Sequence, residues 1–324
     1  MKKYLFIILC LLLIGCKNND KDVIKNIKKK NDNLDSYNIG GELNIYNGDD
    51  KYTYDVDVKY KKDDLYRVSL VNKVNNHEQI ILRNEEGVYV LTPSLNKSFK
   101  FQSDWPYNNS QVYILARILS DIDSDEDKKY EYKDNMHIFT TKVEYSTNDE
   151  LVKQKIYFDD NYMLKKVEVY NDKDEVLMDF NLSNFDDNCK LDDDLFILDK
   201  NVSEDTKDVS NTLDGVIYPM YLPSNTYLTS ESKMNKDNGE RVILTFGGDK
   251  PFTLIEETIT VSKELELDLT YGEPGIIIDT VGSIDDSNIS WLSNGVEYSV
   301  VSDTLDKNEL LSVAKSISAA SITK

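Results

Sequence analysis

The feature that most constrains the fold is a strict alternation of apolar and polar residues. From Tyr52 to Tyr60, tyrosine or valine occupies every second position, and threonine, aspartate or lysine lies between them. Because successive side chains of a β-strand point to opposite faces, this pattern predicts a strand with one buried and one solvated face. The same alternation predicts further strands at residues 66–70, 77–83, 88–92, 99–101, 139–145, 152–158, 164–170 and 176–182.

The loops between these strands are short, which predicts an antiparallel sheet whose apolar face must curl on itself or be covered. Two amphipathic helices can provide the cover. One is expected from Ser110 to about Ile122, with Leu115 and Leu119 on its apolar side. The other is expected to be capped by Asp22, to end at Gly40-Gly41, and to bury Val23, Ile24, Ile27 and Leu34.

The second half of the chain has weaker patterns. Residues 199–213 contain few apolar groups and are expected to be a linker. Beyond them, a helix is expected from about Asp306 to Ser318, after strands at 241–246, 252–261, 276–281 and 296–301. The predicted fold class is therefore α+β. It comprises a curved, antiparallel, incomplete β-barrel at 22–198 with helices covering its concave face, and a smaller C-terminal α+β domain at 214–324.

Residues 1–15 have the form of a secretory signal peptide. Lys2 and Lys3 precede an apolar run of about a dozen residues, which is too short to span a bilayer of roughly 30 Å as a helix. The run ends in Gly15-Cys16, a small residue before a cysteine, and this predicts a diacylglyceryl group on Cys16. Residues 16–21 would then be the lipidated cysteine and a polar spacer outside the cytoplasmic membrane. A short transmembrane anchor is the alternative.

Charge and cysteine content exclude some partner classes. The net charge is −21, and loss of Lys2 and Lys3 with the leader makes it −23. Such a charge argues against nucleic acid or anionic lipid as a partner surface. Cys10 leaves with the leader and Cys16 carries the lipid, so no intrachain disulfide is expected for the remaining Cys189.

Several segments of the first half resemble a known family when taken in order. They are the N-terminal helix, the segment from Gly87 to Phe99, Trp105-Pro106 and the helix after it. Over residues 20–198 the chain resembles the Gram-positive relatives of the lipoprotein carrier LolA, in particular the GerS-related sporulation and germination lipoproteins. The resemblance implies an open barrel with a hydrophobic concavity, which holds acyl chains in some members and contacts a protein in others.

A second resemblance covers residues 214–320. It is carried by residues 272–275 and 279–282, by Trp291 and Tyr298, and by residues 309–316. These residues are similar to a domain of unknown function at the C-terminal end of Gram-positive membrane-bound proteins, including regulators of the anti-sigma type. The resemblance implies a family without implying a chemistry.

No nucleophile and base are found together in the sequence. His77 and His137 both fall in predicted strands, and no Gly-x-Ser-x-Gly turn is present. Cys189 lies among aspartates, whose carboxylates should raise the pKa of its thiol and reduce its reactivity. The chain is therefore expected not to be an enzyme, with no catalytic residue and no cofactor.

One acidic segment has the spacing of a calcium loop. Aspartates stand at alternate positions from Asp121 to Asp127, but Glu126 and Tyr132 occupy the positions where such a loop needs glycine and glutamate. A solvated acidic loop is the main interpretation and weak calcium binding is the alternative, and no metal site is assigned.

The candidate binding residues are aromatic and aliphatic side chains on the predicted concave face and in the loop before the second helix. Strand-face residues of this kind can also be plain core. Trp105 and Tyr107, in contrast, fall in a loop and would make an interface anchor if exposed. The candidate set is Tyr52, Tyr54, Val56, Tyr66, Trp105, Tyr107, Leu115 and Leu119.

The expected function is that of a membrane-anchored, non-enzymatic protein-interaction factor in sporulation or spore germination. Its expected location is the extracytoplasmic face of the cell membrane or the forespore intermembrane space. The resemblance implies a cortex-modifying amidase as a partner. The alternative is binding of lipid or lipoprotein acyl chains in the concavity, for local lipid handling or envelope sensing.

The lipid anchor gives the first testable prediction. In Cys16→Ser cells, we expect the protein to leave the membrane pellet and appear in the soluble or released fraction, because no thiol remains to be acylated. Immunoblots of fractionated cells measure this. A Cys10→Ser variant is the matched control and should stay in the pellet. A particulate, fully functional Cys16→Ser protein would contradict the prediction.

Overall fold

The computed structural model describes residues 20–31, 34–202, 212–236, 239–262 and 264–322. Over these ranges the chain forms two β-sheets and three α-helices, which confirms the predicted α+β class. The predicted leader and Cys16 lie outside the described residues, as does most of the predicted linker. Within the described ranges, no helix has the length and apolar content needed to cross a lipid bilayer.

The first half of the chain supplies eleven strands of one large sheet. Each neighbouring pair among these eleven strands is antiparallel, and the first of the eleven pairs with the last. The order across the sheet is β6-β5-β4-β3-β2-β1-β11-β10-β9-β8-β7. Their bounds are β1 (Ser36–Asn47), β2 (Asp50–Lys61), β3 (Leu65–Asn72), β4 (Glu78–Asn84), β5 (Gly87–Thr92), β6 (Lys97–Phe101), β7 (Lys129–Lys133), β8 (Met136–Lys142), β9 (Lys153–Asp159), β10 (Leu164–Tyr170) and β11 (Val176–Asp186).

Two helices cover one face of this sheet, and both differ from the predicted bounds. Helix α1 spans Asp20–Asn31 and buries Val23 and Ile27, with acidic residues in its first turn and lysines in its last, as the helix dipole favours. Helix α2 spans Leu115–Ser124. Ser110 does not cap it, because its hydroxyl accepts a hydrogen bond from the Glu144 backbone N–H instead.

The prediction that Gly40-Gly41 ends the first helix is wrong. Both glycines lie inside β1, where the register with β11 shifts by a bulge. A Cβ on Gly41 would stand 2.5 Å from the Asn181 carbonyl oxygen and 2.6 Å from the Phe180 ring. Glycine is therefore required at position 41 because the backbone and the Phe180 ring approach so closely. A Gly-Gly pair in a sequence can mark either a helix end or such a bulge, and the two cannot be distinguished without the structure.

The alternation in β2 sorts its side chains as predicted. Tyr54, Val56 and Val58 are buried, while Asp55 is exposed and Asp57 is half-buried. The buried side chains share one core with apolar residues of α1 and α2 and with the inner face of β8 to β11, since both ends of the sheet curve around it. This core holds the first half together without a disulfide.

The second half forms a smaller sheet with the order β12-β13-β14-β19-β18-β17-β16, and helix α3 (Lys307–Ile322) packs on it. Asp306 begins α3 with a reciprocal cap, in which its carboxylate accepts the Glu309 N–H and the Glu309 carboxylate accepts the Asp306 N–H. The strands are β12 (Thr226–Lys236), β13 (Gly239–Gly248), β14 (Phe252–Thr258), β16 (Glu273–Ile277), β17 (Thr280–Ile284), β18 (Asn288–Ser293) and β19 (Val296–Val301).

One strand of the second half leaves its own sheet. Strand β15 (Glu266–Thr270) pairs in parallel with β6 and becomes the twelfth strand of the large sheet. Its ends are fixed by two backbone bonds, Glu266 N–H to the Asn96 oxygen at 2.8 Å and Gln102 N–H to the Thr270 oxygen at 3.3 Å. The second half thus covers an edge that would otherwise expose unpaired backbone groups.

Two neighbouring glycines provide a matched test of the β1 bulge. We expect Gly41→Ala to lower the free energy of unfolding by about 1–3 kcal/mol, because its Cβ meets backbone and a packed ring. Gly40→Ala should change it by less than about 0.5 kcal/mol, since its Cβ would approach no atom closer than 3.7 Å. Urea unfolding curves measure both values. Equal destabilisation by the two variants would contradict the packing argument.

Candidate functional site

The eight candidate residues fall at two ends of the covered face of the large sheet. At one end, Tyr66, Trp105 and Tyr107 lie close together beside helix α2, which carries Leu115 and Leu119. At the other end, Tyr52 lines a cavity with residues of the second half, Tyr54 bonds to Ile278, and Val56 shares a core with Ile278 and Val281. The structure therefore divides the candidate set into two neighbourhoods with different surroundings.

The first neighbourhood contains an open groove of about 380 Å³ between α1, α2 and the sheet. We call it the helix groove. A salt bridge of 2.7 Å between Lys28 of α1 and Asp123 of α2 joins the two helices beside it. The lining residues are Lys28, Asn31, Leu34, Tyr37, Tyr60, Tyr66, Leu115, Ala116, Leu119, Ser120 and Asp123.

A row of aromatic rings forms the sheet side of the helix groove. Tyr37, Tyr60 and Tyr66 are directly opposite one another on β1, β2 and β3, and each successive pair of ring centroids is 4.9 Å apart. Trp105 continues the row at 6.0 Å from Tyr66. Such cross-strand aromatic pairs stabilise a sheet and leave a rigid apolar wall.

Trp105 is fully buried, so it belongs to this wall and not to the surface. The peptide bond between Trp105 and Pro106 is cis. The Trp105 carbonyl oxygen accepts a 2.6 Å hydrogen bond from the Arg83 guanidinium. Trp105 is therefore not an exposed interface anchor, because its ring packs against Tyr66 at the end of the aromatic row.

Tyr107, in contrast, is 40% exposed at the rim. Its hydroxyl donates to Asp64 at 2.6 Å and lies 3.2 Å from the Tyr66 hydroxyl, while the Arg83 guanidinium sits 5.3 Å from its ring centroid. Arg117 donates to its backbone oxygen at 3.0 Å. Burial, followed by the hydrogen bond to Asp64, raises the pKa of Tyr107 to about 12. The ring is therefore exposed but held in one position.

In the second neighbourhood, side chains of the large sheet bond to the backbone of the turn between β16 and β17. Tyr54 donates its hydroxyl to the Ile278 oxygen at 2.9 Å, and Asn72 donates to the Asp279 oxygen at 3.3 Å. Gln79 accepts the Val281 N–H at 2.6 Å and donates to the Val281 oxygen at 3.0 Å. The second half of the chain thus seals this end of the face.

An ion-pair group holds β15 beside this seal. Lys97, almost fully buried on β6, lies 2.7 Å from Glu297 and 3.2 Å from Asp268. Burial alone would lower the pKa of Lys97, but the two carboxylates outweigh it and hold that pKa above its ordinary value. The lysine joins strands of the two halves by charge as well as by backbone pairing.

The histidines and Cys189 are separated from one another. His137 is buried in β8, where Nδ1 lies 2.9 Å from the Tyr130 hydroxyl and the ring stacks on Tyr162. Burial lowers the pKa of His137. The pKa of Cys189 is raised, as predicted, but burial is the largest cause and the Asp186 carboxylate contributes less.

The aspartates of the calcium-like segment face different cations of the protein. Asp121 is buried 2.9 Å from Arg117, and Asp127 lies 2.6 Å from Lys142. Over the described residues, no group of three or more His, Cys, Asp or Glu side chains is arranged to hold a metal ion.

Sequence reasoning did not identify Tyr37, Arg83 or Gln79. Tyr37 lies on β1, where the bulge at Gly40-Gly41 interrupts the alternation that would have revealed the strand. Arg83 and Gln79 occupy polar positions of a predicted strand, and their partners are distant in sequence. Only Tyr37 had a local signal, since Tyr37 and Ile39 start an alternation before the glycines.

Comparison with known proteins places the chain in a family. A family model described as "Sporulation protein YdcC-like" matches residues 2–196. The sporulation protein YdcC of Bacillus subtilis (strain 168) is 35% identical over 318 residues, which cover 96% of this chain and 94% of that protein. The chain belongs to the YdcC-like sporulation protein family. The resemblance to Gram-positive sporulation proteins is thereby confirmed, and the YdcC relative spans both halves.

Solved structures show weaker likeness to this YdcC-like protein. The Pseudomonas aeruginosa MucA/MucB complex is 13% identical, with a TM-score of 0.34 over 90% of this chain and 96% of that chain. The Clostridioides difficile CwlD amidase in complex with the GerS lipoprotein is 16% identical, with a TM-score of 0.32 over 52% and 96%. A LolA superfamily protein from Nitrosomonas europaea is 12% identical, with a TM-score of 0.33 over 55% and 97%. These scores are too low to assign a residue role or a partner.

The seal between the two halves gives a testable prediction. We expect Gln79→Ala to lower the free energy of unfolding by about 2 kcal/mol, because the buried Val281 N–H loses its acceptor. Gln102→Ala, at an exposed side chain, should change it by less than about 0.5 kcal/mol. Chemical unfolding monitored by tryptophan fluorescence measures both. An unaffected Gln79→Ala protein would show that these bonds do not stabilise the seal.

Proposed function

We propose that this YdcC-like protein is a lipid-anchored, extracytoplasmic and non-enzymatic factor that acts in sporulation or spore germination by contacting another protein. The observation that supports this most is that the chain fills one end of the covered face of its large sheet with residues of its own second half. We further propose that the sheet is a variant of the open LolA-like barrel, closed on one side by the second half.

The filling is apolar as well as hydrogen-bonded. Ile259, Ile278, Val281 and Leu292 of the second half belong to the same buried core as Tyr54 and Val56. Buried apolar surface contributes about 25 cal/mol per Å², so an acyl chain would have to displace contacts of equal quality to enter this end. This favours contact with a partner over storage of lipid.

The proposed contact surface is the rim formed by Tyr107, Arg83 and Asp64. Tyr107 is exposed and Arg83 is half-buried. Side chains that are already fixed in position lose little conformational entropy on binding. The aromatic wall behind Tyr107 gives it a rigid support. The resemblance to GerS-related lipoproteins makes a cortex-modifying amidase the first partner to test.

The anchor and α1 fit this arrangement. Asp20, where α1 begins, is four residues from Cys16, so a fully extended chain can separate the two by at most about 14 Å. Acylation of Cys16 would therefore hold α1 close to the membrane surface. Two acyl chains give stable attachment, where one gives only marginal attachment.

Capture of the partner tests this proposal. We expect Tyr107→Ala to reduce recovery of a cortex amidase from sporulating cells by at least about tenfold, because an interface anchor commonly contributes 2 kcal/mol or more. Tyr132→Ala, at a 51% exposed tyrosine on β7, is the matched control and should bind normally. Amidase captured equally by both variants would exclude the Tyr107 rim. Wild-type protein that captures no cell-wall enzyme, with normal germination of a deletion strain, would overturn the function.

A second candidate function is acyl-chain binding in the helix groove. The observation that favours it is the open groove itself, whose lining includes Leu34, Leu115 and Leu119 beside the tyrosine row. Native mass spectrometry of gently purified protein should then show a retained lipid, and Leu119→Trp should remove it by filling the groove. Protein without lipid would favour the contact function.

A further inference from the structure

Two cavities lie between the halves of the molecule and share one acidic residue. The larger has a volume of about 440 Å³ and the smaller about 220 Å³. Their common lining is Asn75, Asp279, Asn294 and Gly295. The larger cavity is within the size range of small-molecule sites and lies away from the helix groove.

The shared carboxylate is buried, and it has no charge partner among the residues that the structure describes. Asp279 is 7% exposed, and its Oδ1 has no hydrogen-bond partner among the described residues. No described lysine, arginine or histidine forms a salt bridge with it. An unpaired buried carboxylate is costly, so such a group either holds a proton or pairs with a cation.

The walls of the larger cavity favour a positive charge. Tyr52 of the first half and Tyr298 of the second line it, and the Tyr298 ring stacks on Trp291 with centroids 5.3 Å apart. Asp214 adds a second carboxylate, and no lysine, arginine or histidine is among the described lining residues of this cavity. Aromatic faces and carboxylates both attract cations.

We propose that the larger cavity binds a compound with an alkylammonium group, whose nitrogen pairs with the Asp279 carboxylate and whose carbon chain lies against Tyr52 and Tyr298. The amine can come from a small free molecule or from a lysine side chain of a peptide. A neutral ligand of the same shape would leave the buried charge uncompensated. This inference does not depend on the proposed contact at Tyr107.

Protonation of Asp279 should be linked to binding. Burial raises the pKa of this carboxyl to about 7. The groups that face it are the phenols of Tyr52, Tyr54 and Tyr298, whose pKa values are raised and which stay neutral in this range. Two further titratable groups lie nearby, His77 in the smaller cavity and Asp214 in the larger. An ammonium ion requires the carboxylate form, so its affinity should rise with pH.

Calorimetry on the full acylated chain in uncharged detergent tests the site. The probes are n-butylammonium and Nα-acetyl-lysine amide, with 1-butanol as the neutral control. We expect both amines to saturate the site, 1-butanol to bind at least about tenfold more weakly, and Asp279→Asn to lose at least about tenfold in amine affinity. Asp303→Asn, at an exposed carboxylate outside both cavities, is the matched control and should bind as wild type does.

The two probes distinguish the sources of the amine. Tighter binding of n-butylammonium indicates a free amine, and tighter binding of the lysine derivative indicates a peptide side chain. Equal binding of 1-butanol, unchanged binding in Asp279→Asn, or no amine binding with a Kd below about 10 mM would overturn the proposal.

Proton release can be measured on the wild-type protein, so this readout does not depend on whether an Asp279 variant folds. Near neutral pH, amine binding should expel protons from Asp279, which calorimetry detects as a dependence of the heat on the buffer. Affinity should increase about 30-fold from about pH 5.5 to about pH 8, following ionisation of one carboxyl with a pKa of about 7. His77→Gln should keep this dependence. A dependence lost in His77→Gln would assign the titration to the histidine and refute the role of Asp279.

Discussion

The structure depends on the insertion of the turn between β16 and β17 against the covered face of the large sheet. Gln79 satisfies both backbone groups of Val281, and Tyr54 satisfies the Ile278 oxygen. Ile278 has a φ of 55°, a conformation that a β-branched residue seldom adopts. Tertiary contacts on both sides of the turn hold it there. Without this insertion, one end of the large core would be exposed to water.

The same insertion joins apolar and charged groups of the two halves. It merges apolar residues of both halves into one core, and the Lys97 group places a buried cation between two carboxylates at the seam. Removing either kind of contact alone would leave polar backbone or charge without a partner, which costs more than the contact itself contributes. The two halves are therefore expected to unfold together, as a unit larger than either sheet.

With one end of the face closed, the proposed contact surface lies at the other end and the proposed amine site lies at the seam between the halves. The helix groove and the Tyr107 rim lie at the other end, beside the row of Tyr37, Tyr60 and Tyr66. The cavity at Asp279 is a product of the seam itself, since residues of both halves form its walls. The YdcC relative covers nearly the whole chain, so both halves also occur together in that protein.

The sequence by itself determined the local elements. Alternation from Tyr52 to Tyr60 specifies a strand with one buried face, the Asp306 and Glu309 pair specifies a helix start, and Gly15-Cys16 specifies a predicted lipid site, because each signal is read from neighbouring residues. Only the tertiary structure decided that Gly41 belongs to a bulge, that Trp105 is core and that the Asp279 carboxylate is buried with no salt bridge to any described residue. Those outcomes rest on contacts such as Gln79 with Val281, which are 202 positions apart. A repeating pattern of neighbouring residues cannot reveal a contact between residues so far apart in sequence. Such a contact stabilises the protein only when both surfaces have folded.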